Sequence, residues 1–194
     1  MQPDSKIICT VPDRALNRLF EVRKEGFLGA DAALSVPLPD GRTVWFFDDT
    51  LVGKMEKGVR HIKAMPRNTV AIQVPGKPAP GKIHFYFSDR HGTPRTFLRL
   101  PGVEVEESWL WPSAVFYHEG TILLFCYRVV KGGGNCEALA FRVVDAWLAR
   151  CSVTKGNPLD WKLSYEPLAW QGRSAIFCAA CMADGEFLYV FGMN

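Results

Sequence analysis

The stretch Gly29-Ala-Asp-Ala-Ala-Leu-Ser-Val-Pro-Leu-Pro-Asp-Gly-Arg-Thr-Val-Trp-Phe-Phe-Asp-Asp-Thr50 decides the fold. Two apolar runs, Ala32–Pro37 and Val44–Asp48, flank a Pro39-Asp40-Gly41 turn, which is the pattern of a β-hairpin. Counting outward from the turn, Asp31 falls almost opposite Asp49, so two carboxylates meet at the open end of one hairpin. Directly opposed residues of an antiparallel pair lie about 4.5–5.5 Å apart. Like charges held that close oppose folding or raise one pKa, so stability does not call for the arrangement. A general acid paired with a base or nucleophile does.

The same pattern recurs along the chain. Trp111-Pro-Ser-Ala-Val-Phe-Tyr117 leads into a Glu119-Gly120 turn and the strand Thr121-Ile-Leu-Leu-Phe125. Ser174-Ala-Ile-Phe-Cys-Ala-Ala180 leads into Asp184-Gly185 and Phe187-Leu-Tyr-Val-Phe191. Further strands are expected at Thr69–Val74, Ile83–Phe87, Ser113–Tyr117, Ile122–Val130, Ala138–Val144, Ala149–Val153, Lys162–Glu166 and Ala175–Met182. Helical periodicity is nearly absent; the one short candidate is Asp13–Phe20, with Asp13 as its cap. Repeated units of about four strands predict β-propeller blades in an all-β fold. On this reading blade 1 covers residues 27–90, blade 2 covers 108–168, and a partial blade 3 covers 172–194. A ring of blades left incomplete exposes strand edges. The expectation is therefore a C-terminally incomplete propeller, either the front of a longer protein or one that a second chain completes.

Composition narrows the function classes. The chain has 194 residues, 23 basic and 20 acidic, with a formal net charge of +3, which is no electrostatic footprint for nucleic acid. No apolar run approaches the roughly 20 residues that span a bilayer, so no membrane partner is expected. The N-terminus lacks the apolar region of a secretory signal, making a cytoplasmic location the default. Six Trp, thirteen Phe and five Tyr suit a β core and also suit stacking on sugar rings.

The six cysteines, Cys9, Cys126, Cys136, Cys151, Cys178 and Cys181, read as scattered reduced thiols, because a chain with this apolar content needs no staples. Cys178-Ala-Ala-Cys181 lies in a strand pattern, where residues three apart face opposite sides, and no second pair accompanies it for zinc. Lys131-Gly-Gly-Gly-Asn135 lacks the ending of a phosphate loop and reads as a hairpin loop. The four histidines show no paired spacing for a metal. No cofactor is expected, with a structural calcium left open.

The residues from Gly29 to Gly53 resemble the first blade of a five-bladed β-propeller family long described as of unknown function, whose wording runs close to Gly-Gly-Asp-Gly, Ser-hydrophobic-Pro-Leu, Asp-Gly-Arg and Leu-Trp-Leu-Phe-Gly-Asp-Thr. Arg67-Asn-Thr-Val-Ala-Ile-Gln73, Asn157-Pro-Leu-Asp-Trp161 and Tyr189-Val-Phe-Gly192 are similar to later elements of that family. The resemblance covers most of the chain after Leu19. The wider fold group holds arabinanase-like, invertase-like and levansucrase-like glycosidases, and some relatives are endo-D-arabinanases. It implies a glycosidase-like activity on a furanoside-containing, arabinan-like polysaccharide, with Asp31 and Asp49 as the catalytic pair. It also implies that members are often secreted. Two departures stand out. Asp48 occupies a position where the family usually has Gly, adding a third carboxylate that either crowds the site or points into the adjacent face, and Gly29-Ala-Asp-Ala32 replaces a glycine-richer loop.

Around the pair, Asn68 is expected either to bond a sugar hydroxyl or a catalytic carboxylate or to bond a loop backbone beside Pro66, and Arg67 either to orient a carboxylate or to sit in solvent. Trp111 is expected to stack on a sugar face, with Trp109 or Trp111 given to the core, and Asp48 is expected to border the substrate. Carboxyl groups about 5–5.5 Å apart imply retention of anomeric configuration and about 6.5–9.5 Å inversion; the hairpin register leaves that choice open. The alternatives are a non-catalytic carbohydrate-binding propeller and a truncated, inactive fragment.

Overall fold

The computed structural model describes residues 9–21, 24–79, 81–89, 91–132, 140–168 and 176–193. Cys136, most of the glycine-rich segment after Lys131 and the start of the strand expected from Ala175 lie outside the described residues. Among the described residues the chain is all-β apart from one short helix and a 3-10 turn at Pro158–Asp160. None of the described helices is long and apolar enough to cross a membrane.

The helix α1 (Arg14–Leu19) starts where Asp13 accepts the backbone N–H groups of Ala15 and Leu16 at 2.9 and 3.0 Å, meeting donors that a helix start leaves unpaired. Among the described residues thirteen strands follow: β1 (Glu25–Ala30), β2 (Leu34–Pro37), β3 (Thr43–Phe47), β4 (Thr50–Glu56), β5 (Val59–Ala64), β6 (Thr69–Gln73) and β7 (Ile83–Tyr86). The second half holds β8 (Ser108–His118), β9 (Thr121–Lys131), β10 (Phe141–Ser152), β11 (Lys162–Pro167), β12 (Ile176–Asp184) and β13 (Phe187–Met193).

They form four antiparallel sheets. Two are four-stranded meanders, β2-β3-β6-β7 and β8-β9-β10-β11; β12-β13 is a hairpin, and β1-β4-β5 is a three-stranded sheet. The first hairpin has the expected register, Leu34 opposite Phe46 and Val36 opposite Val44. The sheet β1-β4-β5 has no counterpart in the sequence reading: β4 and β5 are inserted between β3 and β6, with β4 paired to β1 on one side and to β5 on the other. The two strands expected at Ala138–Val144 and Ala149–Val153 are one strand, β10, kept continuous by a register shift between Val143 and Asp145. Such a bulge lets a ladder continue past a break in alternation.

Period-2 geometry explains the stacking. Along β9, Ile122, Leu124 and Cys126 join Val36, Val44, Phe46, Val70 and Ile72 of the first meander in one buried cluster. Phe125, pointing the other way, joins Ala114, Ala146, Leu148 and Cys178 in a second, against which Leu188 and Val190 of β13 pack. The central meander is thus covered on both faces, which is why β9 reads as a continuous apolar run rather than an alternating one. A third cluster, Leu19, Phe47, Ala71 and Ile83, seats α1 on the outer face of the first meander. On the outer face of β12-β13, Met182, Phe187, Tyr189 and Phe191 are exposed.

Gly53 lets β5 approach β4 closely. A Cβ there would lie 2.0 Å from the carbonyl oxygen of His61, closer than atoms can stand.

Candidate functional site

The open end of the first hairpin is built by backbone bonds. The Asp31 N–H donates to the Asp49 carbonyl at 3.0 Å, and the Asp48 N–H donates to the Asp31 carbonyl at 2.9 Å. Asp31, in the connection after β1, is thus bonded to both Asp48 and Asp49 in the connection between β3 and β4, which gathers the three acids at one place. Behind them the chain is pinned. The Thr50 N–H donates to the Pro66 carbonyl at 3.0 Å, the Thr50 hydroxyl donates to the Asp48 carbonyl at 2.9 Å, and the two hydroxyl oxygens of Thr50 and Thr69 lie 2.8 Å apart in the core.

The Pro66 anchor sets Arg67 beside Asp49. Its Nη1 donates to Asp49 Oδ2 at 3.3 Å, and Trp111 Nε1 donates to the other oxygen at 3.4 Å. The Arg67 guanidinium also lies 4.2 Å from the Trp109 ring centroid, a cation–π contact, and Trp109 and Trp111 meet edge to face. Of the two tryptophans, Trp109 is the core residue, 3% exposed, while Trp111 is half-buried. Arg67 further borders an open cleft of about 400 Å³ together with Arg95, Arg99, Thr93 and Glu106.

The three carboxylates differ in setting. Asp31 is exposed, whereas Asp48 and Asp49 are half-buried. Burial pushes Asp49 above the usual carboxylate range, opposed by the Arg67 charge and the Trp111 N–H and reinforced by the charge of Asp31. Asp48 is pushed up to about 8, first by burial and then by the charges of Asp49 and Asp31. Among the described residues, two buried side-chain polar atoms lack a partner: Asp48 Oδ1 and Trp109 Nε1. Both belong to this cluster. Buried polar groups are nearly always paired, so their coincidence here marks the cluster as the candidate site.

Five of the six residues expected from the sequence thus converge: Asp31, Asp48, Asp49, Arg67 and Trp111. Asn68 does not. It is fully buried, and its amide is held by the main chain, accepting from the Leu98 N–H at 2.6 Å and donating to the Leu98 and Leu110 carbonyls at 3.2 and 2.8 Å. It ties the segment before β8 to the first meander and offers nothing to a substrate. Thr50, Thr69 and Pro66, which fix the acids and Arg67, escaped the sequence reading because their roles run through tertiary bonds. Among the described residues no group of three or more His, Cys, Asp or Glu is arranged to hold a metal ion.

The family model described as "Domain of unknown function (DUF5005)" matches residues 13–194. The chain belongs to the DUF5005 family. Among curated proteins, none matches this DUF5005 chain. A solved structure does: the crystal structure of a "putative hydrolase" from Bacteroides ovatus ATCC 8483, with TM-score 0.73 and 21% identity over 93% of this chain. The likeness shows a shared fold, and the chain spans 49% of that structure's chain, about half its length.

Proposed function

We propose that this chain is a glycoside hydrolase of the five-bladed β-propeller type, cleaving glycosidic bonds in a furanoside-containing, arabinan-like polysaccharide. The observation that carries the reading is the backbone junction that sets Asp31 against Asp48 and Asp49, with Asp49 held between a guanidinium and an indole N–H. A hydrolase needs one carboxyl group that stays ionised and one that can give a proton. Asp49, facing a cation, suits the ionised role; Asp31, on the exposed side, suits contact with substrate and water. Trp111 offers a half-buried ring beside them for the apolar face of a sugar. The neighbouring Bacteroides structure, described as a hydrolase, fits the same class of chemistry.

Two successive four-stranded meanders stacked face to face, followed by a third hairpin, support the propeller reading. The exposed aromatic row on β13 is the face on which a further sheet would pack, whether from this chain or from a second one. The test is a comparison of binding and turnover on arabinan for the wild type and Asp31→Asn. The hydrolase reading predicts that turnover is lost while affinity changes little. Retained affinity with no turnover in the wild type would instead establish a carbohydrate-binding propeller.

A further inference from the structure

Asp48 is the acid that the paired-carboxylate scheme leaves without a chemical role. It is adjacent to Asp49 in the connection between β3 and β4, yet the two neighbours are treated differently. Asp49 takes the cation and the indole donor; Asp48 Oδ1 is buried and takes none. Among the described residues, the charged and titratable groups felt by Asp48 are Asp49 beside it in the chain and Asp31 from the loop after β1, and the buried thiol of Cys126 in β9 feels the Asp48 charge. Arg67, from the connection before β6, is engaged with Asp49 and the Trp109 ring. An oxygen in that position gains nothing by ionising: two like charges face it, no cation is assigned to it, and desolvation penalises its anion.

We infer that Asp48 carries the exchangeable proton of this site and is its acid, while Asp49, its neighbour in the chain, is the fixed carboxylate. Environments that separate adjacent carboxyl groups in this way assign acid and base roles within one site. The chemical use of the proton rests on the hydrolase reading. In hydrolysis it passes from Asp48 to the glycosidic oxygen as the anomeric C–O bond breaks. Water adds its hydroxyl to the anomeric carbon and gives its remaining proton to the Asp31 or Asp49 carboxylate, from which Asp48 is reprotonated.

The direct test is an infrared pH titration of the whole chain, following the carbonyl stretch of protonated carboxyl groups in the wild type, Asp48→Asn, Asp31→Asn and Asp49→Asn. The wild type should show one carboxyl group still protonated at neutral pH, with its midpoint near 8. Asp48→Asn should abolish that signal. Asp31→Asn, at an exposed position that tolerates the change, should move the midpoint to lower pH by removing a like charge. The absence of any carboxyl protonated above pH 6 in the wild type overturns the inference, as does a neutral-pH signal that survives Asp48→Asn. Arabinan turnover is read separately. An inactive wild type with a protonated Asp48 removes the substrate reading and supports the proton assignment, whereas full turnover by Asp48→Asn overturns the acid role.

Discussion

Replacing Asp48 by Asn should stabilise the protein, and by an amount that depends on pH. The substitution keeps the size and shape of the side chain and removes its charge. In the folded chain Asp48 titrates near 8, against 3.8 for an ordinary aspartate. The folded state therefore holds the proton more tightly than the unfolded one. Asp48 contributes most to stability below the unfolded value, and the contribution is lost as pH rises toward 8. One unit of pKa difference corresponds to about 1.4 kcal/mol, so three units of pH inside this window give at most about 4 kcal/mol. Partial exposure and screening reduce that to roughly 2–4 kcal/mol. Urea unfolding of the wild type and Asp48→Asn at pH 5, 7 and 8.5 measures it. Groups remote from the site cancel in the difference between the two proteins. The advantage of Asp48→Asn should grow across the series and level off above pH 8. A difference that stays flat from pH 5 to 8.5, or a variant less stable at pH 8.5, would refute the account of Asp48.

Other residues give sharper local tests. Asn68→Ala strands the Leu98 N–H and the Leu98 and Leu110 carbonyls, and should destabilise by about 2–4 kcal/mol in denaturant melts, with no specific effect on sugar affinity in the protein that remains folded. Gly53→Ala forces a methyl group into the His61 carbonyl and should cost at least about 1–3 kcal/mol, read as a lowered melting temperature. Ala32 sits at a φ of 53°, in the left-handed region that favours glycine, so Ala32→Gly should stabilise by about 0.5–1 kcal/mol; a loss of stability would show that the loop does not hold this conformation. Arg67→Met removes the cation beside Asp49, and carboxyl titration should then place Asp49 higher than in the wild type.

The first hairpin was readable because three local signals agree: alternation on both strands, a Pro-Asp-Gly turn between them, and acids at matched distances from that turn. Counting places Asp31 almost opposite Asp49 and leaves the register open by one residue; the bonding of Asp31 to both Asp48 and Asp49 comes from the structure. Where local signals conflict, the sequence misled. β1 carries Gly26 and Gly29 and no alternation, and β5, Val59-Arg-His-Ile-Lys-Ala64, is almost wholly exposed, so neither resembles a half-buried strand. β4 is interrupted by Gly53, whose purpose is visible only when β5 lies against it. Asn68 was open to a substrate role or a backbone role, and its partners are main-chain groups 30 and 42 positions away, which no local pattern records. Asp48 showed the converse. The sequence placed a third carboxylate at the site, but its difference from Asp49 depends on which of the two Arg67 and Trp111 reach, and that is set by packing between meanders.

If the carboxylates gathered at the first hairpin hydrolyse a glycosidic bond, digestion of arabinan in ¹⁸O-labelled water will show it. Mass spectrometry should find one labelled oxygen at each new reducing end with the wild type, and products at background level with Asp31→Asn and Asp49→Asn. Equal label incorporation by both variants, or no cleavage by a folded wild type, would rule that chemistry out.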